Sequence, residues 1–312
     1  IFHIKVDQKD ELGLLAQRFN AMAKGLAERA KVRSLLGKVV SPAIAEQLIN
    51  KGVELGGEDR QATILFCDIR NFTRLCEAHT AKQVITLLNK LLTRLSGVID
   101  QHHGVIDKYI GDAVMALFGV PIIDEKQAEN AVYAALAMQH ELNIINQELA
   151  ERHLPEIGLG IGVNSASIVA GNMGSETRLN YTVIGDGVNL SSRLEGLTKY
   201  YGVEVLVSQA TKGLCPEIFF QEIDTVRVKG KMQGLTVFQP LGEKKSISSE
   251  ELKRTSLFNQ MLDLYKKQQW HSALIILEQL TVEFPKVLYY QVYKQRIIGY
   301  QGKDFDPDWD PI

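Results

Sequence analysis

Two aspartates close apolar, strand-like runs. Asp68 lies in Leu65-Phe66-Cys67-Asp68-Ile69-Arg70-Asn71-Phe72-Thr73, and Asp112 ends Asp107-Lys108-Tyr109-Ile110-Gly111-Asp112. Brought together by a fold, two such carboxylates offer hard oxygen ligands to a divalent cation and a nucleoside triphosphate. Either one alone is also a common turn or cap residue, so the pairing carries the reading. A third block, Asn180-Tyr181-Thr182-Val183-Ile184-Gly185-Asp186-Gly187-Val188-Asn189-Leu190-Ser191-Ser192-Arg193-Leu194-Glu195, sets Asn189 and Arg193 four residues apart. On a helix both reach one site. The arginine can stabilise charge developing on a phosphoryl group and the asparagine can orient a ribose; preorganised donors of this type are worth ~10²–10³ in rate. The competing reading is a surface asparagine and an arginine paired with Glu195. Ile69 to Thr73 leads into a helix start, where unpaired amides suit phosphate; Asn71 and Thr73 as plain caps remain open.

The three blocks, in this order, resemble the catalytic domain of class III nucleotidyl cyclases, from about Arg60 to Leu241 with no large insertion. The resemblance implies an α+β, ferredoxin-like sandwich that turns ATP into 3′,5′-cyclic AMP and pyrophosphate. It implies two divalent metal ions, Mg²⁺ or Mn²⁺, held by Asp68, Asp112 and the main-chain carbonyl of Ile69. Lys108 and Thr182 match the positions that read adenine, in the bacterial lysine–threonine subgroup in which a bicarbonate response has been associated with the threonine. Guanylyl cyclases tend to carry an acid at the lysine position, because guanine presents donors there and an ammonium would lack an acceptor. Phe72 and Thr73 fall at the triphosphate, and Lys229 matches a lysine on the terminal phosphates. Lys231 and a solvated basic turn are its alternatives.

In this family the metal aspartates come from one protomer and the adenine-reading and transition-state residues from the other. This chain carries both sets, so a homodimer could build two complete sites. Guanylyl cyclase and a catalytically silent nucleotide-binding module are the competing functions. A diguanylate cyclase does not fit, since the hairpin reads Tyr109-Ile110-Gly111-Asp112-Ala113.

The elements that must position these groups are legible as periodicity. Strands are expected over residues 62–67, 105–109, 113–118, 158–163, 204–207, 226–228 and 235–239. Helices are expected over 83–99, 127–149 and 187–200, packed on one face of a mostly antiparallel sheet. Upstream, Leu12, Leu15, Phe19, Met22 and Leu26 recur at steps of three and four, a coiled-coil seam or one amphipathic face. Asp10-Glu11-Leu12-Gly13 with Phe19-Asn20 and Met22 resembles the end of a HAMP module. That implies a dimer and an upstream membrane sensor in a longer parent chain, of which this would be the cytoplasmic part. The expected order is HAMP-like helix 1–34, transducer helix and linker 35–57, catalytic domain 58–243, and a linker with a tetratricopeptide-like hairpin over 244–312.

Composition is consistent with this. The 312 residues are 45% hydrophobic and 23% charged, with a net charge of −2, ordinary globular values that give a nucleic-acid partner no support. Cys67, Cys76 and Cys215 are too few and scattered for a disulfide framework, and fit a reducing compartment. No run of 18 apolar residues occurs.

Overall fold

Strand β1 (Gly56–Arg70) is an interior strand of the sheet. Ala62, Thr63, Ile64 and Leu65 are buried on both faces of it, as an interior strand requires. The computed structural model describes residues 4, 10–39, 41, 44–45, 55–151, 154–175, 178–227 and 234–300, in two compact units, Ile1–Glu54 and Leu55–Ile312.

In the first unit helix α1 (Glu11–Val39) is continuous. The expected seam residues Leu12, Leu15, Phe19, Met22 and Leu26 are all exposed on it. The transducer helix expected within 35–57 does not start separately at Leu35, because α1 runs through that point. Most of its remainder lies outside the described residues.

The second unit opens with β1, a short helix α2 (Phe72–Ala78) and helix α3 (Ala81–Gln101), which starts at a Thr80–Gln83 capping box. Strands β2 (Val105–Ile110) and β3 (Ala113–Phe118) form a hairpin, followed by helix α4 (Gln127–Glu151). Then come β4 (Gly158–Ser175), β5 (Arg178–Ile184), helix α5 (Asp186–Tyr201), β6 (Val205–Ser208) and a short helix α6 (Gln209–Gly213). Strands β7 (Ile218–Val226) and β8 (Leu235–Glu243) precede helices α7 (Ser249–Lys266), α8 (Trp270–Glu283) and α9 (Leu288–Tyr300). The sheet runs β2-β3-β1-β4-β6-β8-β7, with β5 paired to the far half of β4. Among the described strands only β4 and β6 are parallel neighbours.

Helices cover both faces of this sheet, not the single face expected. Alternation along one strand makes the point: Val205 and Val207 join α3 and α4 in one core, whereas Leu206 joins α5 and α7–α9 in a second. Phe238 and its neighbour Val237 divide in the same way. The expected hairpin corresponds to α7 and α8, a third helix α9 follows it, and the segment docks on the sheet. Phe258, Tyr290 and Tyr293 are fully buried there, and the Tyr293 hydroxyl donates to the carbonyl of Ile223 at 3.0 Å.

Other differences concern extent. β1 and β4 are each far longer than the apolar runs that announced them, because their outer halves pair with each other from Gly56↔Asn172 inward. β7 ends where a strand was expected to begin, and Val228 is outside the described residues. β5 was not anticipated as a strand, although Tyr181 and Val183 face inward between exposed Asn180 and Ile184.

Candidate active site

Asp68 sits near the end of β1 opposite Gly160 of β4. The β2–β3 turn delivers Asp112, and Gly111 takes the left-handed backbone this turn needs (φ 67°). The two carboxyl groups are neighbours close enough to perturb one another. Burial first, and then the Asp112 charge, push Asp68 above the usual carboxylate range, while the Ile69 amide pulls it down. Two neighbouring carboxylates of this kind are a donor set that fits a divalent cation. Among the described residues no group of three or more His, Cys, Asp or Glu side chains is arranged around a common point. A two-carboxylate site fits a cation that completes its shell with phosphate and water.

Sequence reasoning gave Glu195 no place beside this pair. It is half-buried on α5, and burial, Asp68 and Asp112 push it up to about 7, against the pull of Arg70. The sequence reading offered Glu195 as a partner for Arg193, and the structure gives it Asp68, Asp112 and Arg70 as neighbours instead. Two residues apart on a helix means about 200°, so the two side chains leave opposite sides. Glycines allow the close approach: a Cβ at Gly162 would stand 2.3 Å from the Glu195 amide nitrogen and 2.3 Å from the Ser191 carbonyl. The Ser191 hydroxyl reaches across to donate to the Ile64 carbonyl at 3.0 Å.

The face of α5 pressed on the sheet is therefore Gly187, Leu190, Ser191, Leu194 and Thr198, all buried. Asn189 is exposed and Arg193 half-exposed, on the side turned away. Arg193 makes no ion pair with a described residue. Periodicity thus aims the pair outward, away from the sheet that carries Asp68.

The third group forms on β2 and β5. Lys108 Nζ donates to Thr182 Oγ1 at 3.2 Å, and Thr182 Oγ1 donates to Asp107 Oδ2 at 3.0 Å. Lys108 also pairs with Asp107 Oδ2 at 3.2 Å; the Asp107 side chain is 0% exposed and that of Lys108 44%. Burial raises Asp107 despite the Lys108 charge and the hydrogen bonds from Lys108 and Thr182. Asp107 was in view in the sequence but had no role there, because strand alternation turns it away from Lys108. Its signal was a carboxylate set directly beside Lys108 inside a strand whose other residues are Val, Ile and Tyr.

Phe72 packs its ring against the core beneath α3 and α4, so only its amide is free to serve a phosphate, and Thr73 is exposed. Asn71 is left-handed (φ 63°) and makes no side-chain cap to α2. Lys229 lies outside the described residues.

Residues 57–240 match the family profile of the adenylate and guanylate cyclase catalytic domain. An adenylate cyclase of Anabaena cylindrica is 39% identical over 248 residues, 74% of this chain and 48% of that protein. Adenylate cyclase 1 of Rhizobium meliloti is 32% identical over 215 residues, 67% of this chain and 32% of that protein. The chain thus spans between about a third and a half of these relatives. Among solved structures, the adenylyl cyclase CyaB from P. aeruginosa superposes with a TM-score of 0.57 at 31% identity, covering 62% of this chain and 100% of that one. The guanylyl cyclase Cya2 does so with a TM-score of 0.58, also at 31% identity, covering 62% and 98%. The fold, the paired carboxylates and these matches lead to one family: the chain belongs to the adenylate and guanylate cyclases, through a catalytic domain of that type.

Proposed function

We propose that the protein is an adenylyl cyclase: the ribose 3′-oxygen of ATP attacks the α-phosphorus, loses its proton, and pyrophosphate leaves. The observation that carries this is the Lys108–Thr182 couple, built four residues before Asp112 on the hairpin that also completes the carboxylate pair. Overall similarity does not choose the base, since CyaB and Cya2 resemble the chain equally well. Lys108 and Thr182 present a donor beside an acceptor, the complement of adenine's N1 and 6-amino group.

Asp68, Asp112 and the Ile69 carbonyl would hold two divalent ions, Mg²⁺ or Mn²⁺, which supply Lewis-acid stabilisation of the reacting oxygens when bound. Arg193 meets the charge that grows on the α-phosphoryl group and Asn189 orients the ribose. The amides at Phe72 and Thr73, with Lys229, take the terminal phosphates. Asn189 and Arg193 face away from the Asp68 sheet, which favours a site shared between two copies in a homodimer. The exposed seam of α1 favours pairing there as well. Its HAMP resemblance makes the chain the cytoplasmic output of a membrane sensor, although no described helix is itself long and apolar enough to cross a membrane.

The test is ATP and GTP turnover side by side with Mg²⁺ or Mn²⁺, scoring cyclic nucleotide and pyrophosphate. Cyclic AMP well above cyclic GMP, lost on Asp68→Ala, is expected; preferential cyclic GMP overturns the base assignment. Mixing inactive Asp68→Ala with inactive Arg193→Ala should restore about a quarter of wild-type activity. Half the dimers are then mixed, and each keeps one intact site. A mixture as dead as its parts rules out the shared site.

A further inference from the structure

Asp107 and Lys108 are consecutive residues of a β-strand, yet both touch the same hydroxyl. A regular strand sends neighbours to opposite faces. The exception is a bulge: the β2–β3 register passes from Ile106↔Ala116 to Lys108↔Met115, leaving Asp107 as the extra residue. Such a bulge re-aims side chains locally. Here it places a fully buried carboxylate behind the two residues to which base reading is assigned.

Burying a carboxylate is costly unless it is paired and hydrogen-bonded. Asp107 Oδ2 takes Thr182 at 3.0 Å and Lys108 at 3.2 Å. Its Oδ1 is buried with no partner among the described residues. A core position filled only for packing would not carry such a group.

The proton inventory shows what it does. A threonine hydroxyl has one proton and two lone pairs, and an ammonium has three protons. The Thr182 proton is committed to Asp107, and one lone pair accepts from Lys108. What remains for a ligand is a lone pair only. Lys108 spends two protons on Asp107 and Thr182 and keeps one to donate.

We propose that Asp107 is a specificity-determining residue that fixes Thr182 as an obligate hydrogen-bond acceptor, so that the site takes a purine with a 6-amino group and rejects a 6-carbonyl. The inference rests on the adenylyl cyclase reading above and deepens it. Adenine offers an amine to Thr182 and an acceptor nitrogen, N1, to Lys108. Guanine inverts both, setting its carbonyl against the lone pair and its N1–H against the ammonium. Without Asp107 the hydroxyl could rotate and donate, and the lysine would lose its anchor.

The experiment is the ATP:GTP ratio of kcat/KM in Asp107→Asn. The amide can donate to Thr182 and free its proton, so the ratio should fall by about 10-fold or more, with retained GTP turnover. Thr182→Ser, which keeps the hydroxyl, should hold the wild-type ratio. Adding Asp107→Asn to Thr182→Ala should change the ratio little further, because Asp107 acts through that hydroxyl. If both nucleotides lose rate together and the ratio stays put, Asp107 is only structural and the inference is overturned. A wild-type protein with no preference for ATP overturns the underlying reading, and this inference with it. Should the Asp107 variant not fold, wild-type protein still decides. Purine riboside triphosphate, with no group at C6, should outperform inosine triphosphate, whose carbonyl meets the lone pair, and equal use of the two refutes the obligate acceptor.

Discussion

Gly162→Ala is the smallest change that should dislodge α5, the helix proposed to carry the transition-state residues. The added Cβ would lie 2.3 Å from two backbone atoms of α5, the Glu195 nitrogen and the Ser191 oxygen, and ordinary contact begins at 3.4 Å. The shortfall of 3.4 − 2.3 = 1.1 Å cannot be absorbed by a side-chain rotation, because both atoms are main chain. Either α5 rises off β4 or β4 bends. Overpacking of this kind costs about 1–3 kcal/mol. A displacement of about 1 Å at a reacting centre can cost about 10²-fold in rate. Gly196, on the open side of the same helix, meets nothing within 4 Å, so Gly196→Ala should gain up to about 1 kcal/mol from helix propensity. Urea denaturation and cyclase assays on both variants at one temperature provide the comparison. A Gly162→Ala protein as stable and as active as wild type would show that the contact between α5 and β4 does not set the position of Asn189 and Arg193.

Other perturbations have equally definite outcomes. Glu195, raised to about 7, keeps its proton in the folded state after the unfolded chain has lost it. Stability therefore falls as pH rises from about 4.5 to 7. Half-exposure screens the charge, so in chelator Glu195→Gln should exceed wild type by about 1 kcal/mol at pH 8 and match it near pH 4.5; an equal gap at both would contradict the assignment. Asp224 accepts from Tyr201 and Arg296, each at 2.6 Å. Asp224→Ala strands a partly buried guanidinium and should cost about 3 kcal/mol, part of it recovered by adding Arg296→Met. Ellman titration should find one fast thiol in the native chain, exposed Cys76, and three after unfolding. Cys67 and Cys215 are buried, and burial pushes both thiols up, Cys215 to about 12.

What the sequence disclosed was whatever local spacing controls. Asp68 and Asp112 could be paired because each ends a run of strand residues beside a turn, and Lys108 lies at a fixed offset from Asp112. Asn189 and Arg193 were correctly set on one helical face, but the direction of that face depends on Gly160 and Gly162 of a strand far away in sequence. Glu195 eluded a local reading for the same reason: its neighbours are Asp68, Arg70 and Asp112, brought in by sheet pairing. Asp107 was hidden by a bulge, which reverses the alternation rule at one residue and is not encoded by periodicity. The second helical layer was missed because α5 alone does not announce that α7–α9 continue its core.

That second layer bears on where the catalytic piece ends. The family match stops at residue 240, yet Leu206, Ile223 and Val237 of the sheet share a core with Phe258, Tyr290 and Tyr293 beyond it. Gly202, which ends α5, lies so close to Leu288 that a Cβ there would come within 2.5 Å of it. The border of the catalytic-domain profile and the border of the folded core do not coincide in this chain. Grafting the output domain onto a different receptor would mean carrying the sequence through Tyr300, since a cut at residue 240 would leave α5 in place but strip α7–α9 from Leu206, Ile223 and Val237.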